Sequence, residues 1–278
     1  MKIKQASIYG ILIFILVFVV SLRQCRHIKI KNKTQIKKPE LILFCGAGIR
    51  PAVDSLIKAF AQLHGISIRA NYAGSGRLLG QISTMHKGDL FMPGAEFYVD
   101  RAVEMNLVME STKRIAAYFI PVIFVQKNNP KNINSIKDLT QNGLKLGFGD
   151  ERSCAIGKTT IKLLKKNNVD YDTIIKNVVY KSGTVNELGV AVQLKSVDAV
   201  IVWDANARLF LHSGDIVNIP EEQNDISAIP VVVLKSAKYP EESIKFIDFI
   251  TSNLGREIFI GKGYTVTYPI QTQRSSLK

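Results

Sequence analysis

LILFCGAGIRPAVDSLIKAFAQLHGISIRANYAGSGRLLGQISTMHKGDLFMPGAEFY, residues 41–98, decides the fold. Leu41-Ile42-Leu43-Phe44 is an unbroken apolar run, as expected of a strand covered on both faces. It stops at Cys45-Gly46-Ala47-Gly48. Apolar Val53, Leu56, Ile57, Phe60 and Leu63 then recur at helical spacing, and Pro51 suits the first turn of that helix, where a missing N–H costs nothing. A second strand, Ile66 to Tyr72, runs into Ala73-Gly74-Ser75-Gly76 and a helix through Leu78, Leu79 and Ile82. A third short strand is expected at Asp89-Leu90-Phe91-Met92. Twice, then, a strand ends in small residues at a helix start. In an open α/β sheet such turns collect at the carboxyl edge of the strands, where ligands bind. Free backbone N–H groups and the positive end of the helix dipole make each turn an anion site. One such turn is explained by the tight bends that glycine permits; two in tandem point to a site.

Beyond Tyr98 the alternation continues. Asp100 to Val108 extends a helix, and IAAYFIPVIFV (115–125) reads as one long apolar strand. A short helix is expected from Ser135, a strand at Leu144 to Phe148, and a helix through Ile161, Leu163 and Leu164. Strands at 178–180, 199–203 and 229–234 follow, with a helix from Glu187 to Leu194 between the first two. A long helix from Glu241 to Ile260, interrupted at most by Gly255, closes the chain. Strands alternating with helices imply a mostly parallel sheet covered on both faces. Here the pattern occurs twice, separated by IAAYFIPVIFV and returning through IPVVVL.

Composition narrows the function. The chain of 278 residues can bury a sizeable core. Its net charge of +14 is uneven: residues 1–40 hold nine of the 37 Lys and Arg residues and one of the 23 acids, hence +8. The remainder is mildly basic, which suits an anionic ligand. Zinc-finger, helix-turn-helix and aromatic–basic RNA signatures are all missing, so nucleic acid is not the expected partner. Cys25, Cys45 and Cys154 form neither a CxxC pair nor a four-ligand zinc spacing. Cys45 and Cys154 lie at two of the βα turns, either as small buried thiols or as reactive thiols at helix N-termini. Gly157-Lys158-Thr159 imitates the end of a P-loop, but Arg152 stands where the first glycine is required. The four histidines are scattered away from any nucleophile, and Gly74-Ser75-Gly76 lacks the form of a nucleophile elbow. No catalytic residue, metal ligand or cofactor is therefore expected. Asp89 and Asp150, which would repel an anion, are expected to cap turns.

The order strand, Gly46-Ala47-Gly48, helix ending at Phe60 to Gly65, then Tyr72-Ala73-Gly74-Ser75-Gly76 and Gly88-Asp89-Leu90-Phe91 resembles the molybdate-binding proteins of ABC uptake systems. These are two-lobed solute-binding proteins, and the resemblance covers nearly all of the chain after residue 40. It implies an α/β, two-lobed periplasmic-binding-protein-like (type II) fold. Each lobe would be a sheet flanked by helices, hinged by two crossing strands that close on the ligand. The implied division is lobe one at 40–117 plus 236–278 and lobe two at 118–235, after a signal or anchor and basic tether at 1–39.

Carried over by position, the family's anion ligands fall at Gly48, Ser75, Ile156, Val185 and Trp203. Ile156 and Val185 would act through backbone N–H groups. Gly48 replaces a serine hydroxyl and Trp203 a tyrosine, so Arg50 and Arg152 are candidates to compensate with their oxyanion-matched guanidinium forks. The resemblance implies molybdate or tungstate as ligand, an ABC permease as partner, a monomer, and a periplasmic or otherwise extracytoplasmic location. The apolar run at residues 8–22 has the length of a signal-peptide core, without a small-x-small cleavage site behind it. It serves either as an atypically cleaved signal or as a membrane anchor. Basic residues after the run outnumber those before it, which by itself favours keeping that flank inside; the resemblance implies export. Two rival readings remain: another oxyanion or small carboxylate in the same fold, and a thiol enzyme or redox protein using Cys45 and Cys154.

Overall fold

A computed structural model describes residues 39–269; the apolar run at 8–22, Cys25 and the basic tether lie outside the described residues. No helix among the described residues is long and apolar enough to cross a membrane. Two five-stranded sheets organise the chain. In the first, β1 (Glu40–Gly46) lies between β2 (Ser67–Ala73) and β3 (Leu90–Met92), parallel to both. β10 (Ser227–Val233) runs antiparallel between β3 and β4 (Arg114–Phe119). In the second, β6 (Leu146–Gly149) lies parallel between β7 (Val178–Ser182) and β8 (Ala199–Trp203). β5 (Pro121–Gln126) is inserted antiparallel between β8 and β9 (Gly214–Asn218). Each sheet thus has three parallel strands and one antiparallel strand that arrives after the chain has crossed from the other sheet. The two-lobed fold expected from the sequence is present.

Several elements differ from the sequence reading. The single strand expected at 115–125 is two strands broken at Ile120. Pro121 cannot donate to a ladder begun in the first sheet, and it starts β5 in the second. The N–H of Ile120 donates to Asp204 Oδ1 at 3.3 Å, and its carbonyl accepts from the Asp204 N–H at 2.8 Å. Strand β10 belongs to the first sheet, although the division above assigned residues up to 235 to lobe two. The return crossing therefore lies before residue 227. Buried Asn224 ties the two crossings together, its Nδ2 donating to the carbonyl of Pro121 at 2.9 Å. The long C-terminal helix is two, α8 (Pro240–Thr251) and α9 (Asn253–Gly261). Ser252 ends one and caps the other, its Oγ accepting from the Gly255 N–H at 3.3 Å. Strand β9 has no counterpart in the sequence reading.

The remaining helices are α1 (Arg50–His64), α2 (Ser75–Met85), α3 (Glu96–Glu104), α4 (Ala155–Lys166), α5 (Tyr171–Ile174), α6 (Val185–Gln193) and α7 (Asp204–Ala207). A 3-10 turn, Ala47–Ile49, leads into α1. Helix α1 buries Ala52, Val53, Leu56 and Phe60 on one face. Phe60 meets Phe246 of α8 edge-on at 5.0 Å, so the C-terminal helices return to the first lobe.

Candidate functional site

The carboxyl ends of the parallel strands in both sheets deliver the chain to one place. β1 ends at Gly46, β2 at Ala73, β7 at Ser182 and β8 at Trp203, and each is followed by a helical start. Gly46, Gly48, Ser75, Ala155, Val185 and Trp203 are among the residues walling a cavity of about 20 Å³, room for a group little larger than one water. Its floor is aromatic. Phe119, the last residue of β4, stacks on Trp203 with ring centroids 4.6 Å apart and planes 8° from parallel. No charged side chain lines it.

What the wall offers is helix starts. The 3-10 turn before α1 follows Gly46, and α2, α4 and α6 follow Gly74, Cys154 and Thr184. None of these four cap residues makes a side-chain cap hydrogen bond. The first amides of a helix lack intrahelical acceptors, so unassigned donors gather at the cavity together with the positive ends of the helix dipoles. Ser75 is 2% exposed, and its Oγ accepts from the Gly94 N–H at 3.0 Å. That bond orients the oxygen and leaves the hydroxyl proton to donate elsewhere.

The two lobes are pressed together around the cavity. The N–H of Gly76 donates to the carbonyl of Ser153 at 3.0 Å across the cleft. A Cβ on Gly74 would stand 2.3 Å from the carbonyl oxygens of Ser153 and Gly183, and one on Gly76 would stand 2.0 Å from that of Arg152. These glycines are where two backbones meet at closest approach. At Gly48 a Cβ would lie 2.8 Å from Val185 Cγ1 and 3.0 Å from Asn206 Oδ1. The missing serine hydroxyl therefore has no vacant space waiting for it in this arrangement.

Of the seven residues singled out in the sequence, Gly48, Ser75, Val185 and Trp203 are brought together at the wall. Ile156 is fully buried behind it; Cys154 and Ala155 occupy the wall instead. Neither arginine reaches the cavity. Arg50 has 62% of its side chain exposed, pairs with Asp54 at 3.3 Å and lies over the Tyr72 ring. The Arg152 side chain is exposed on the outer side of the cleft, where it lines a separate groove beside Phe97 and Lys158. Asp89 and Asp150 cap turns. Asp89 accepts from the N–H groups of Ile42 at 2.8 Å and Lys238 at 2.7 Å, while Asp150 Oδ1 accepts from Ser153 N–H and Oγ, both at 2.9 Å. Sequence reasoning missed Phe119, Gly94, Thr184 and the pair Asn186 and Asn206 described below. The only local signal for Asn206 was a polar residue just beyond the site strand β8.

Both cysteines at the turns are buried and free. Burial, followed by the Asp54 charge, pushes the Cys45 thiol well up. Burial pushes the Cys154 thiol up to about 12, outweighing the N–H groups of Gly157 and Ile156 that favour a thiolate. A reactive cysteine needs the opposite shift.

A profile described as "Bacterial extracellular solute-binding protein" matches residues 41–265. Among curated proteins, a putative binding protein of Haemophilus influenzae is 28% identical over 229 residues, covering 82% of this chain and 92% of that one. The molybdate-binding protein ModA of Mycobacterium tuberculosis is 24% identical over 225 residues, 81% of this chain and 84% of that one. Among solved structures, the sulfate-binding protein SubI of Mycobacterium tuberculosis has a TM-score of 0.75 at 18% identity, covering 83% of this chain and 88% of that one. The periplasmic molybdate-binding protein of Azotobacter vinelandii has a TM-score of 0.71 at 15% identity, covering 82% and 100%. With a family match that spans both sheets and every turn at the cavity, this chain belongs to the bacterial extracellular solute-binding proteins.

Proposed function

We propose that this protein captures a tetrahedral oxyanion, molybdate or tungstate, outside the cytoplasm and hands it to an ABC permease. It does so by binding, without catalysis. The observation that carries the reading is the convergence of four side-chain-uncapped helix starts on a small cavity free of charged side chains. Neutral N–H donors on helix N-termini suffice for a dianion, and a ligand that only accepts hydrogen bonds matches walls that mainly donate. Ser75, through its hydroxyl and N–H, the N–H groups of Val185 and Gly48, and the Trp203 indole form the proposed ligand set. Ile156 contributes by setting the first turn of α4, and Arg50 and Arg152 are left out of it. The ModA relative and the resemblance in the βα turns support molybdate as the member of the class to test first.

A second reading is favoured by one observation. Asn206 Oδ1 is fully buried without a hydrogen-bond donor, and it stands next to Gly48, where the hydroxyl donor is lost. An acceptor beside the site favours an oxyanion that carries a proton, such as hydrogen phosphate, or a small carboxylic acid. The thiol reading is disfavoured, because burial keeps Cys45 and Cys154 protonated.

A thermal-shift screen of oxyanions on residues 40–278, which hold both sheets, separates the readings. Molybdate or tungstate at a thousandfold excess over Kd should add about 4 kcal/mol to the folded state, a rise of several degrees in Tm. Sulfate and phosphate should give less. A larger shift with phosphate or a small carboxylate favours the second reading, and no shift with any anion refutes both.

A further inference from the structure

Two asparagines on the second lobe hold the backbone of the first. Asn186, the second residue of α6, donates from Nδ2 to the carbonyl of Ala47 at 3.3 Å. Asn206, in α7, donates from Nδ2 to the carbonyl of Gly48 at 3.1 Å and to Asn186 Oδ1 at 3.0 Å. Both protons of the Asn206 amide are thereby used. Turning the amide over would set its oxygen against two acceptors, so the orientation is fixed by its neighbours. From the first lobe's own side, the buried hydroxyl of Tyr264 donates to the same Gly48 carbonyl at 2.6 Å. None of these groups belongs to the ligand set that the family resemblance implies.

We propose that Asn186 and Asn206 are positioning residues: a carboxamide latch that closes the second lobe onto the Ala47–Gly48 turn and draws that turn's carbonyls away from the bound anion. Two consequences follow from peptide geometry. A trans peptide holds its C=O and the next N–H on opposite sides, so gripping the Ala47 and Gly48 carbonyls fixes the directions of the Gly48 and Ile49 N–H groups. A carbonyl oxygen left beside an oxyanion repels it, most strongly where water is excluded; the latch supplies donors to both carbonyls. Glycine at position 48 is then a requirement of the latch. A Cβ there would press on Val185 Cγ1 at 2.8 Å and on Asn206 Oδ1 at 3.0 Å, and the branched valine has little rotamer freedom to yield.

The inference rests on the oxyanion reading only for its ligand probe, and the test has one arm with a ligand and one without. In the full chain, Asn186→Ala and Asn206→Ala should each raise the dissociation rate of molybdate about threefold to tenfold, as for the loss of one net hydrogen bond. Association rates and the Tm without ligand should stay close to wild type. Asn206→Asp, which keeps the shape but replaces the donor with an acceptor, should release molybdate faster than Asn206→Ala. Gly48→Ser, although it restores the family's hydroxyl, should weaken binding. In the arm without anion, hydrogen exchange at the Gly76 amide, which bonds to Ser153 only when the lobes meet, should quicken in both variants while amides of β1 and β6 keep their protection. If buried Asn206→Ala does not fold, half-buried Asn186→Ala carries both arms. Tighter molybdate binding in Gly48→Ser overturns the latch, as does unchanged Gly76 exchange in the Asn186→Ala/Asn206→Ala double variant. If wild type does not bind molybdate, that ligand assignment fails, and the exchange arm alone decides the latch.

Discussion

The helix starts at the cavity and those elsewhere in the fold are finished differently. On the outside, Asp170 caps α5 by accepting from the Thr173 N–H at 2.8 Å, and Ser252 caps α9. Helix α8 begins with Pro240, Glu241 and Glu242, which complement its dipole. At the cavity, Gly46, Gly74 and Cys154 leave their helices without a side-chain cap or an acidic residue in the first turn. Thr184 has a hydroxyl suited to capping and does not use it on α6; the nearby Glu187 is held by the Ser182 hydroxyl. A cap is worth about 0.5–2 kcal/mol. Four helices that forgo that stabilisation at one place leave their donors for something that is not protein. The difference teaches that an uncapped helix start carries little information alone, whereas several converging on one closed space mark a binding site.

Substitutions at the two kinds of start should therefore have opposite signatures. The largest effect is expected from Gly76→Ala. Alanine favours the helix over glycine, so the protein without ligand should be as stable as wild type or slightly more so. Binding should fall by roughly a hundredfold, because the new Cβ overlaps the Arg152 carbonyl in the closed cleft. Titration calorimetry alongside thermal melts reads both quantities. If affinity is retained, the closed contact between these backbones is not the binding state.

Ser75→Ala comes next. It removes one hydroxyl donor to a charged ligand, worth about 1.5–3 kcal/mol, hence roughly tenfold or more in affinity. The loss of the Gly94 bond adds a smaller cost to the fold. An unchanged Kd would take the α2 start out of the ligand set. The smallest effect on binding belongs to Ser252→Ala, away from the cavity. It should lower stability by about 1 kcal/mol and leave Kd within error. A change in affinity there comparable with that of Ser75→Ala would erase the contrast between the two kinds of start.

Much of the fold was legible in the sequence because its signals are local. Apolar runs at 41–44 and 199–203 had to be buried strands, and glycine and serine at 46–48 and 74–76 had to form turns into helices. The twofold alternation and the paired proline-containing runs then led to two sheets with crossings between them. Where the reading went astray, the missing information was long-range. IAAYFIPVIFV is continuously apolar on either side of the crossing, so hydropathy alone does not reveal the change of sheet at Ile120. Strand β9 is short and weakly apolar, and it becomes a strand by pairing with β5. Arg50 and Arg152 have side chains that suit an oxyanion, but the direction of a side chain at a helix start depends on its neighbours. Asp54 and Tyr72 draw Arg50 outward.

By itself, then, the sequence determined that this protein has two α/β layers with glycine- and serine-rich helix starts at the ends of their strands. Local backbone preference and hydrophobic period set both features. Tertiary structure alone decided that Asn186 meets Ala47 across 139 residues and Asn206 meets Gly48 across 158. It also decided that Phe119 stacks on Trp203 and that Ile156 lies behind the wall while Ala155 forms it. Such contacts arise when two separately formed lobes close on each other, and no periodicity within either lobe encodes which side chains will face across the cleft.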